Sequence, residues 1–363
     1  MEFLSKYGLL PKDYELLTKI DNATSRLFGK MKLLNVDSLN ISDYNKRYLG
    51  DIMRELHMTL SRYAFILSWS VAFAPVPLNE FVFLDYGGGS GLLSLLAKEY
   101  EIGTVVYSDI YDVSCRDARV IGESTSGQVE HYVHGDLDEV ITFLRENSLS
   151  CHGVASNDVI EHIYDIEAFV RKLPALSDGS MTVVMASTAN MLNPIARRSI
   201  TRKQLEAEFK NRQKTWGHKE RDSLRAFFEA RREIISTYAP DLTDIEIEQL
   251  TRVTRGMIEG DIRRTVDSYL SMGELPQEPS HPTNTCDPFT GNWAEHLMDP
   301  YHLRDILAEQ GFAAQILWGF YGRPRNATKR FLASTLDFVI PMLRNEGIRL
   351  APFFALYGRR SNP

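Results

Sequence analysis

Residues 81–93 read FVFLDYGGGSGLL, an apolar run that ends in an acid and a tyrosine and continues into four glycines within five residues. The apolar part is typical of a buried strand, and the leucines after the glycines are typical of a helix. Glycine lets a backbone approach a ligand closely and tolerates the positive φ angles of a tight turn. The stretch predicts a strand, a ligand-binding turn and a helix; a turn that only packs the strand on the helix is the alternative.

The glycine spacing argues against a dinucleotide site. A pyrophosphate-binding fingerprint that started at Gly87 would need glycine at position 92, where this chain has Leu92. A nicotinamide-dependent oxidoreductase is therefore a distant alternative.

Short strand patterns alternate with helical patterns across the middle of the chain. Five segments are apolar and rich in β-branched residues: FVFLDY, TVVYSD, EHYVH, HGVASN and SMTVVMAS. Helical segments separate them, which predicts βαβ units and a parallel sheet. Two later candidate strands, AAQILWGF and APFFALYG, follow a long helical insertion.

Acids follow the second and third predicted strands. Asp109 ends TVVYSD, where a carboxylate can accept both hydroxyls of a ribose. Asp136 and Leu137 follow the third strand, in position for an adenine amino group and its ring edge. A solvent-exposed acid at a strand end is the alternative for each, but the glycine turn and the two acids in this order point together to a nucleoside-containing cofactor.

Two further segments resemble a known family. GVASNDVIEHIYDIEAFVRKL resembles the "SDVLEHV" region of the ubiquinone-biosynthesis type of methyltransferase, and NWAEHLMDPYHLRDILAEQGF is similar to the stretch before the sixth strand in those proteins. With the glycine turn and the acids, the sequence resembles class I S-adenosylmethionine (SAM)-dependent methyltransferases over residues 78–190 and 290–320.

The resemblance implies a Rossmann-like α/β fold, with a seven-stranded, mostly parallel sheet whose last strand is antiparallel. The resemblance does not cover the N-terminal helices, the insertion or the region after Gly322, and with these we expect four regions: a helical N-terminal region (1–78) for an acceptor pocket or oligomerisation, the SAM-binding core (79–190), a helical cap inserted between strands 5 and 6 (191–288), and a final region (289–363) that completes the sheet and carries an inserted helix.

The resemblance also assigns site residues. It implies that Gly87, Gly89 and Gly91 admit the methionine portion and ribose of SAM, and that Asp85 contacts the amino group directly or through water. It likewise implies that Asp109 holds the ribose, that Asp136 and Leu137 meet the adenine, and that Asn157 offers its backbone beside the sulfonium.

Proton removal from an acceptor would need a base. Histidine is the usual base near neutral pH, and His162 and His296 are the candidates. Asp158 is a weaker candidate, because an acid at a helix start is also favoured by the helix dipole. Each histidine has an alternative role as a packed, hydrogen-bonded side chain.

The insertion carries two separate patterns. Thr243 and Glu246 stand in capping-box relation and predict one amphipathic helix that ends near Gly273. Residues 201–233 contain ten Lys or Arg and six Asp or Glu. A solvated helix face is the preferred interpretation; a basic wall that guides an anionic acceptor, formed by Arg225, Arg231 and Arg232, is the sharper one.

Composition limits the classes of binding partner and the cellular compartment that we expect for this protein. The chain has 363 residues, 44% hydrophobic and 25% charged, with a net charge of −7, which argues against general affinity for nucleic acid or anionic membrane. The N-terminus has no basic segment followed by an apolar one, and the three cysteines lack metal-ligand spacing and fit free thiols. We expect a cytoplasmic protein without a required metal and without stable membrane insertion; the apolar stretch from Tyr63 is predicted to be a core helix.

The sequence therefore predicts a SAM-dependent methyltransferase of a small molecule, acting at oxygen in a secondary-metabolite or sugar-type pathway. The alternative is a regulatory or assembly protein that binds SAM or S-adenosylhomocysteine (SAH) without catalysis. The apolar tail after Gly322 indicates internal packing or a homodimer face, with lipid contact as a weaker alternative.

Overall fold

The computed structural model describes residues 2–4, 9–127, 129–212, 224–277, 283–324 and 326–361. The strands are β1 (Val82–Tyr86), β2 (Thr104–Asp109), β3 (His131–His134), β4 (Gly153–Asn157), β5 (Met181–Ser187), β6 (Ala313–Trp318) and β7 (Phe354–Arg360). The helices are α1 (Tyr14–Leu33), α2 (Asp43–Arg54), α3 (Leu56–Val71), α4 (Leu92–Glu99), α5 (Asp112–Ser124), α6 (Leu137–Glu146), α7 (Ile166–Lys172), α8 (Pro194–Phe209), α9 (Phe227–Tyr238), α10 (Asp244–Val253), α11 (Glu259–Met272), α12 (Pro300–Glu309) and α13 (Ala327–Met342).

The seven strands form one sheet in the order β3-β2-β1-β4-β5-β7-β6. The first five strands pair in parallel, and β7 lies antiparallel between β5 and β6. The strand order reverses between β1 and β4, which is the switch point where ligands bind in open α/β sheets. This topology confirms the predicted fold class, a Rossmann-like class I methyltransferase fold with its last strand antiparallel.

The strands are apolar because the sheet is covered on both faces. Every residue of β1 and β5 is buried, as expected for parallel strands between helical layers. Helix α3 is buried along most of its length and packs on β4 and β5, which confirms the predicted core helix. None of the helices in the described ranges has the length and apolar character needed to cross a bilayer.

The chain divides into two compact units. Unit 1 comprises residues 1–160, 167–193 and 299–363 and contains the sheet; unit 2 comprises residues 161–166 and 194–298. The sheet and the N-terminal helices share one apolar core. Helices α9, α10 and α11 enclose a separate core in unit 2, centred on Ile235, Leu250 and Ile262.

The single helix predicted from Thr243 to Gly273 is wrong. Its start is correct, because the side chain of Thr243 accepts from the amide of Glu246 and the Glu246 carboxylate accepts from the amide of Thr243. The helix then stops at Val253, and α11 begins at Glu259. Gly256 lies between them with φ of +77°, and a Cβ there would lie 2.8 Å from the Trp293 ring. The apolar spacing continues across the break, which hides it in the sequence.

Candidate functional site

The glycine turn joins β1 to α4 at the carboxyl end of β1. Gly87, Gly89 and Gly91 have φ of +70°, +54° and +76°, and Gly91 is the N-cap residue of α4. A Cβ on Gly87 would lie 2.5 Å from Cγ2 of Val159. Position 87 therefore requires glycine both for its backbone conformation and for space.

Asp109 lies at the end of β2 and fixes the glycine turn. Its Oδ2 accepts from the backbone N–H of Gly89 at 3.2 Å, and its Oδ1 accepts from that of Tyr111 at 2.9 Å. An ionised carboxylate offers about four lone-pair positions, so each oxygen can accept one more hydrogen bond. This is the arrangement that two neighbouring hydroxyls need, and the backbone bonds hold it in place.

Asp85 is buried beneath the turn. Its Oδ2 accepts from the backbone N–H of Ser94 at 2.9 Å and from the Ser94 hydroxyl at 2.7 Å. Burial raises the pKa of Asp85 to about 6; the two bonds from Ser94 act in the opposite direction and the nearby charge of Asp109 adds to the rise. Such a carboxylate is costly to ionise without a cationic partner.

Asp136 begins α6. Its Oδ1 accepts from the backbone N–H of Asp138 at 2.7 Å, while its own N–H donates to the Glu139 carboxylate at 2.9 Å, which makes a capping box. Leu137 is 4% exposed. The backbone N–H of Gly135 donates to the carbonyl of Asp109 at 3.0 Å, so the ends of β2 and β3 meet. A contact of Asp136 and Leu137 with adenine remains a prediction.

Asp158 follows β4 and is held by an ion pair. Its carboxylate accepts from both terminal nitrogens of Arg62, at 2.8 and 3.0 Å, and from the backbone N–H of Thr188 at 3.1 Å. Its φ is +53°, which is uncommon for a residue other than glycine. A carboxylate engaged this way is poorly placed to take a proton, so the geometry disfavours Asp158 as the general base and indicates that it positions Arg62.

Two residues of the N-terminal helices join this region, and nothing in the sequence pattern indicated them. Arg62 of α3 stacks on the Phe353 ring at 4.4 Å as well as binding Asp158. Tyr48 of α2 faces the glycine turn, since a Cβ on Gly89 would lie 3.3 Å from its ring. Although Tyr48 is 40% exposed, desolvation and then the charge of Asp158 raise the pKa of its phenol, which therefore stays protonated at neutral pH.

Several buried polar atoms at this edge of the sheet lack a hydrogen-bond partner among the described residues. They include the Ser90 hydroxyl in the glycine turn and the side-chain carbonyl of Asn157 at the end of β4. A buried polar atom without a partner is costly, and a bound polar ligand can supply the bond. With the two open acceptor positions of Asp109, these atoms fit a ligand that carries hydroxyl and amino donors, which suits the SAM that the sequence predicts.

Both candidate histidines belong to unit 2, and both contact Trp293. The His296 ring stacks on Trp293 at 4.3 Å, and Nδ1 of His162 lies 3.0 Å from the Trp293 carbonyl oxygen. Since a carbonyl only accepts, Nδ1 of a neutral His162 carries the proton and Nε2 has the free lone pair. His162 and Trp293 also line a cavity of about 370 Å³ with Phe227, Lys203 and Asp287. His162 is thus the candidate base whose geometry is defined.

One of the three arginines proposed for the basic wall is buried and cannot belong to a surface. Arg231 is fully buried in unit 2, where its guanidinium forms two hydrogen bonds with the Glu208 carboxylate, at 2.6 and 3.2 Å. Arg225 pairs with Glu233 on the surface. Residues 213–223 of the same basic stretch lie outside the described residues. Arg231 is therefore part of the core of unit 2 and cannot contact an acceptor.

The described part of the chain contains neither a candidate metal site nor an exposed cysteine. No group of three or more His, Cys, Asp or Glu side chains there could hold a metal ion. Cys115, Cys151 and Cys286 are free and buried, and burial raises the pKa of each thiol.

Comparisons with known proteins add a weak likeness. No protein-family profile and no curated protein matches the sequence. Among solved structures, the plantazolicin methyltransferase BpumL in complex with SAH is 11% identical over 95% of this chain and 99% of its own, with a TM-score of 0.37. A SAM-dependent methyltransferase from Mesorhizobium loti is 15% identical over 78% of this chain and 94% of its own, with a TM-score of 0.36.

A third similar structure, SMU.776 complexed with SAH, is 10% identical with a TM-score of 0.30. The match covers 39% of this chain and only 38% of that one. Because these identities and TM-scores are low, the comparisons identify neither the substrate nor the site residues of this chain.

Proposed function

We propose that this protein is a SAM-dependent methyltransferase that methylates a small molecule at oxygen in a biosynthetic pathway. The observation that carries the proposal is the Asp109 carboxylate at the carboxyl end of β2, which accepts from the Gly89 amide of the turn after β1 and keeps one open acceptor position on each oxygen.

Different residues of unit 1 would bind different parts of the cofactor. Asp109 would bind the ribose hydroxyls, and the glycine turn would pass beneath the methionine portion because it has no side chains to obstruct it. Asp85 would face the amino group, which supplies the cation that a buried carboxylate lacks. Asp136 and Leu137 would lie beside the adenine. The unpartnered oxygens of Ser90 and Asn157 are further acceptors or donors for the same ligand.

When bound, SAM supplies a methyl group already activated by its sulfonium, so the protein mainly needs to align an acceptor. A hydroxyl acceptor also loses a proton, and we assign that step to Nε2 of His162. Its Nδ1 is occupied by the Trp293 carbonyl, which fixes the ring and its tautomer. The cavity that His162 lines combines the aromatic rings of Phe227 and Trp293 with five charged side chains, which suits a polar small molecule: Lys203, Glu206, Arg212, Asp287 and Glu295.

Turnover in a small-molecule extract separates an enzyme from a binding protein. The purified protein is incubated with methyl-labelled SAM and the low-molecular-weight fraction of a cell extract, and label in new products and released SAH are both measured. We expect label transfer by the wild-type chain and none by Asp109→Ala. Tight SAM binding without SAH release would support the non-catalytic alternative.

The charge on Asp85 gives cofactor binding a pH dependence. Because the pKa of Asp85 is about 6, its carboxylate is ionised at pH 7 and mostly protonated at pH 5. A cationic amino group binds the ionised form, so SAH affinity should fall by about tenfold between pH 7 and pH 5. Titration calorimetry across this range measures the effect.

Asp85→Asn is the matched control for this pH dependence. It keeps the shape of the side chain without its ionisation, so its SAH affinity should be lower at pH 7 and almost independent of pH. Because the folded pKa of Asp85 lies above its unfolded value, the wild type loses stability as the pH rises toward 6, and the variant should not. An identical pH profile in both proteins would remove the Asp85 assignment.

His162→Gln tests the base. Loss of a general base usually lowers kcat by about 10²–10⁴-fold, and we expect such a loss in SAH release with SAM affinity unchanged. His302→Gln is the control, because His302 is an exposed histidine of unit 1 that pairs with Glu167. Equal activity in the wild type and His162→Gln would show that His162 only packs beside Trp293.

A further inference from the structure

Helix α13 has an exposed apolar face. Phe331, Leu332, Phe338 and Met342 are between 49% and 78% exposed, and Leu343 follows directly after the helix at 41%. At 100° per residue these positions fall on one continuous side of the helix, and no charged residue shares that side. Monomeric soluble proteins rarely leave such a cluster of large apolar side chains in water, so this face indicates an interaction surface.

The opposite face fixes α13 to unit 1. Ala333, Asp337 and Ile340 are buried, and the Asp337 carboxylate accepts from the backbone N–H groups of Tyr321 and Gly322 at 2.6 and 3.1 Å. The exposed face is therefore held in a defined orientation by the fold.

The charges around the helix are basic. Lys329 and Arg330 are exposed in its first turns, and Arg344 and Arg349 are exposed just beyond its end. Over residues 326–349 the one exposed acid is Glu346, which pairs with Arg349. This contrasts with the net charge of −7 of the whole chain. An apolar helix face with basic side chains at both ends is complementary to the anionic surface of a lipid bilayer, where apolar side chains enter the acyl boundary and cations meet the headgroups.

The same charges disfavour a second copy of this chain as the occupant. A symmetric contact would place two α13 helices face to face, since the same patch is used on both copies. Because both ends of the helix are basic, a parallel and an antiparallel pair alike would bring Lys and Arg side chains together. We propose that α13 docks this protein on anionic membrane surfaces, lying in the plane of the bilayer without crossing it.

Vesicle sedimentation tests this proposal with the full chain. The protein is mixed with vesicles of equal parts phosphatidylcholine and phosphatidylglycerol, or of phosphatidylcholine alone. We expect the wild type to sediment with the anionic vesicles, with binding that weakens as salt is added, and to stay in solution with the neutral ones. Absence of binding to the anionic vesicles, or equal binding to both kinds, would overturn the proposal.

Two surface variants locate the contact. Phe331→Ser with Met342→Ser should weaken vesicle binding by at least about tenfold. Leu33→Ser with Ile245→Ser is the matched control, because these side chains are 88% and 71% exposed elsewhere, and it should bind as the wild type does. Unfolding temperatures of both variants establish that they are folded. Unchanged binding in the α13 variant would overturn the proposal.

Sedimentation equilibrium without lipid tests the competing occupant. We expect the same ratio of monomer to dimer in the wild type and in the Phe331→Ser, Met342→Ser variant. A wild-type dimer that dissociates in the Phe331→Ser, Met342→Ser variant would assign the face to a second copy and overturn the membrane proposal.

Discussion

Asp109→Ala is expected to weaken SAH binding by about 10²–10³-fold, because two hydrogen bonds from ribose hydroxyls to a charged acceptor are lost together. The variant also removes the acceptors of the Gly89 and Tyr111 amides, so the glycine turn loses its connection to the end of β2. Titration calorimetry measures the affinity. The free energy of unfolding should fall by only about 1–3 kcal/mol, which leaves the chain folded.

Two further variants separate charge from shape at this position. Asp109→Asn keeps the volume but presents an NH₂ group to one of the two backbone N–H donors, so its affinity should lie between those of the wild type and the alanine variant. Asp112→Ala removes an exposed acid from the first turn of α5 and should bind SAH normally. Wild-type affinity in a folded Asp109→Ala protein would contradict the ribose assignment.

Arg231→Ala is expected to destabilise unit 2 by about 3–5 kcal/mol, because it leaves the carboxylate of Glu208 buried without its main partner. Glu208 is 1% exposed and also accepts from Nε of Arg255 at 3.1 Å and from the Thr285 hydroxyl at 2.6 Å. Burial alone would raise the pKa of Glu208, but Arg231, Thr285 and Arg255 outweigh it and hold that pKa below its ordinary value. The pair therefore stays charged in the core of unit 2.

Hydrogen exchange locates this loss of stability. Amides of α8 and α9 should exchange faster in Arg231→Ala, while amides of the sheet in unit 1 keep their wild-type protection. Arg225→Ala is the matched control, since Arg225 pairs with Glu233 on the surface and exposed pairs contribute little. Unchanged exchange in α8 and α9 would show that the buried pair does not stabilise unit 2.

The strands and the glycine turn were predictable because their causes are local. Segment TVVYSD coincides with β2 because β-branched residues fill a strand buried on both faces and an acid marks its end. The glycine pattern predicted the turn because the positive φ angles there strongly favour glycine. Burial and backbone conformation each restrict the residue type at a single position, so their effect can be recognised in the sequence.

The contacts that sequence reasoning missed join distant residues. Arg62 and Asp158 are 96 positions apart, and only the fold shows that the predicted base is held by an arginine of α3. Arg231 was counted with a basic surface because composition records charge and not burial. The break at Gly256 was not predicted because the apolar spacing of α10 continues into α11. In each case the deciding partner lies far along the chain or does not alter the local pattern.

Calorimetric titration of the purified chain with SAM, SAH and NAD decides whether the turn after β1 and the acid after β2 form a SAM site. We expect tight binding of SAM and SAH and none of NAD, because Leu92 stands where a dinucleotide turn needs glycine. Binding of NAD, or no binding of SAM and SAH to the folded protein, would contradict it.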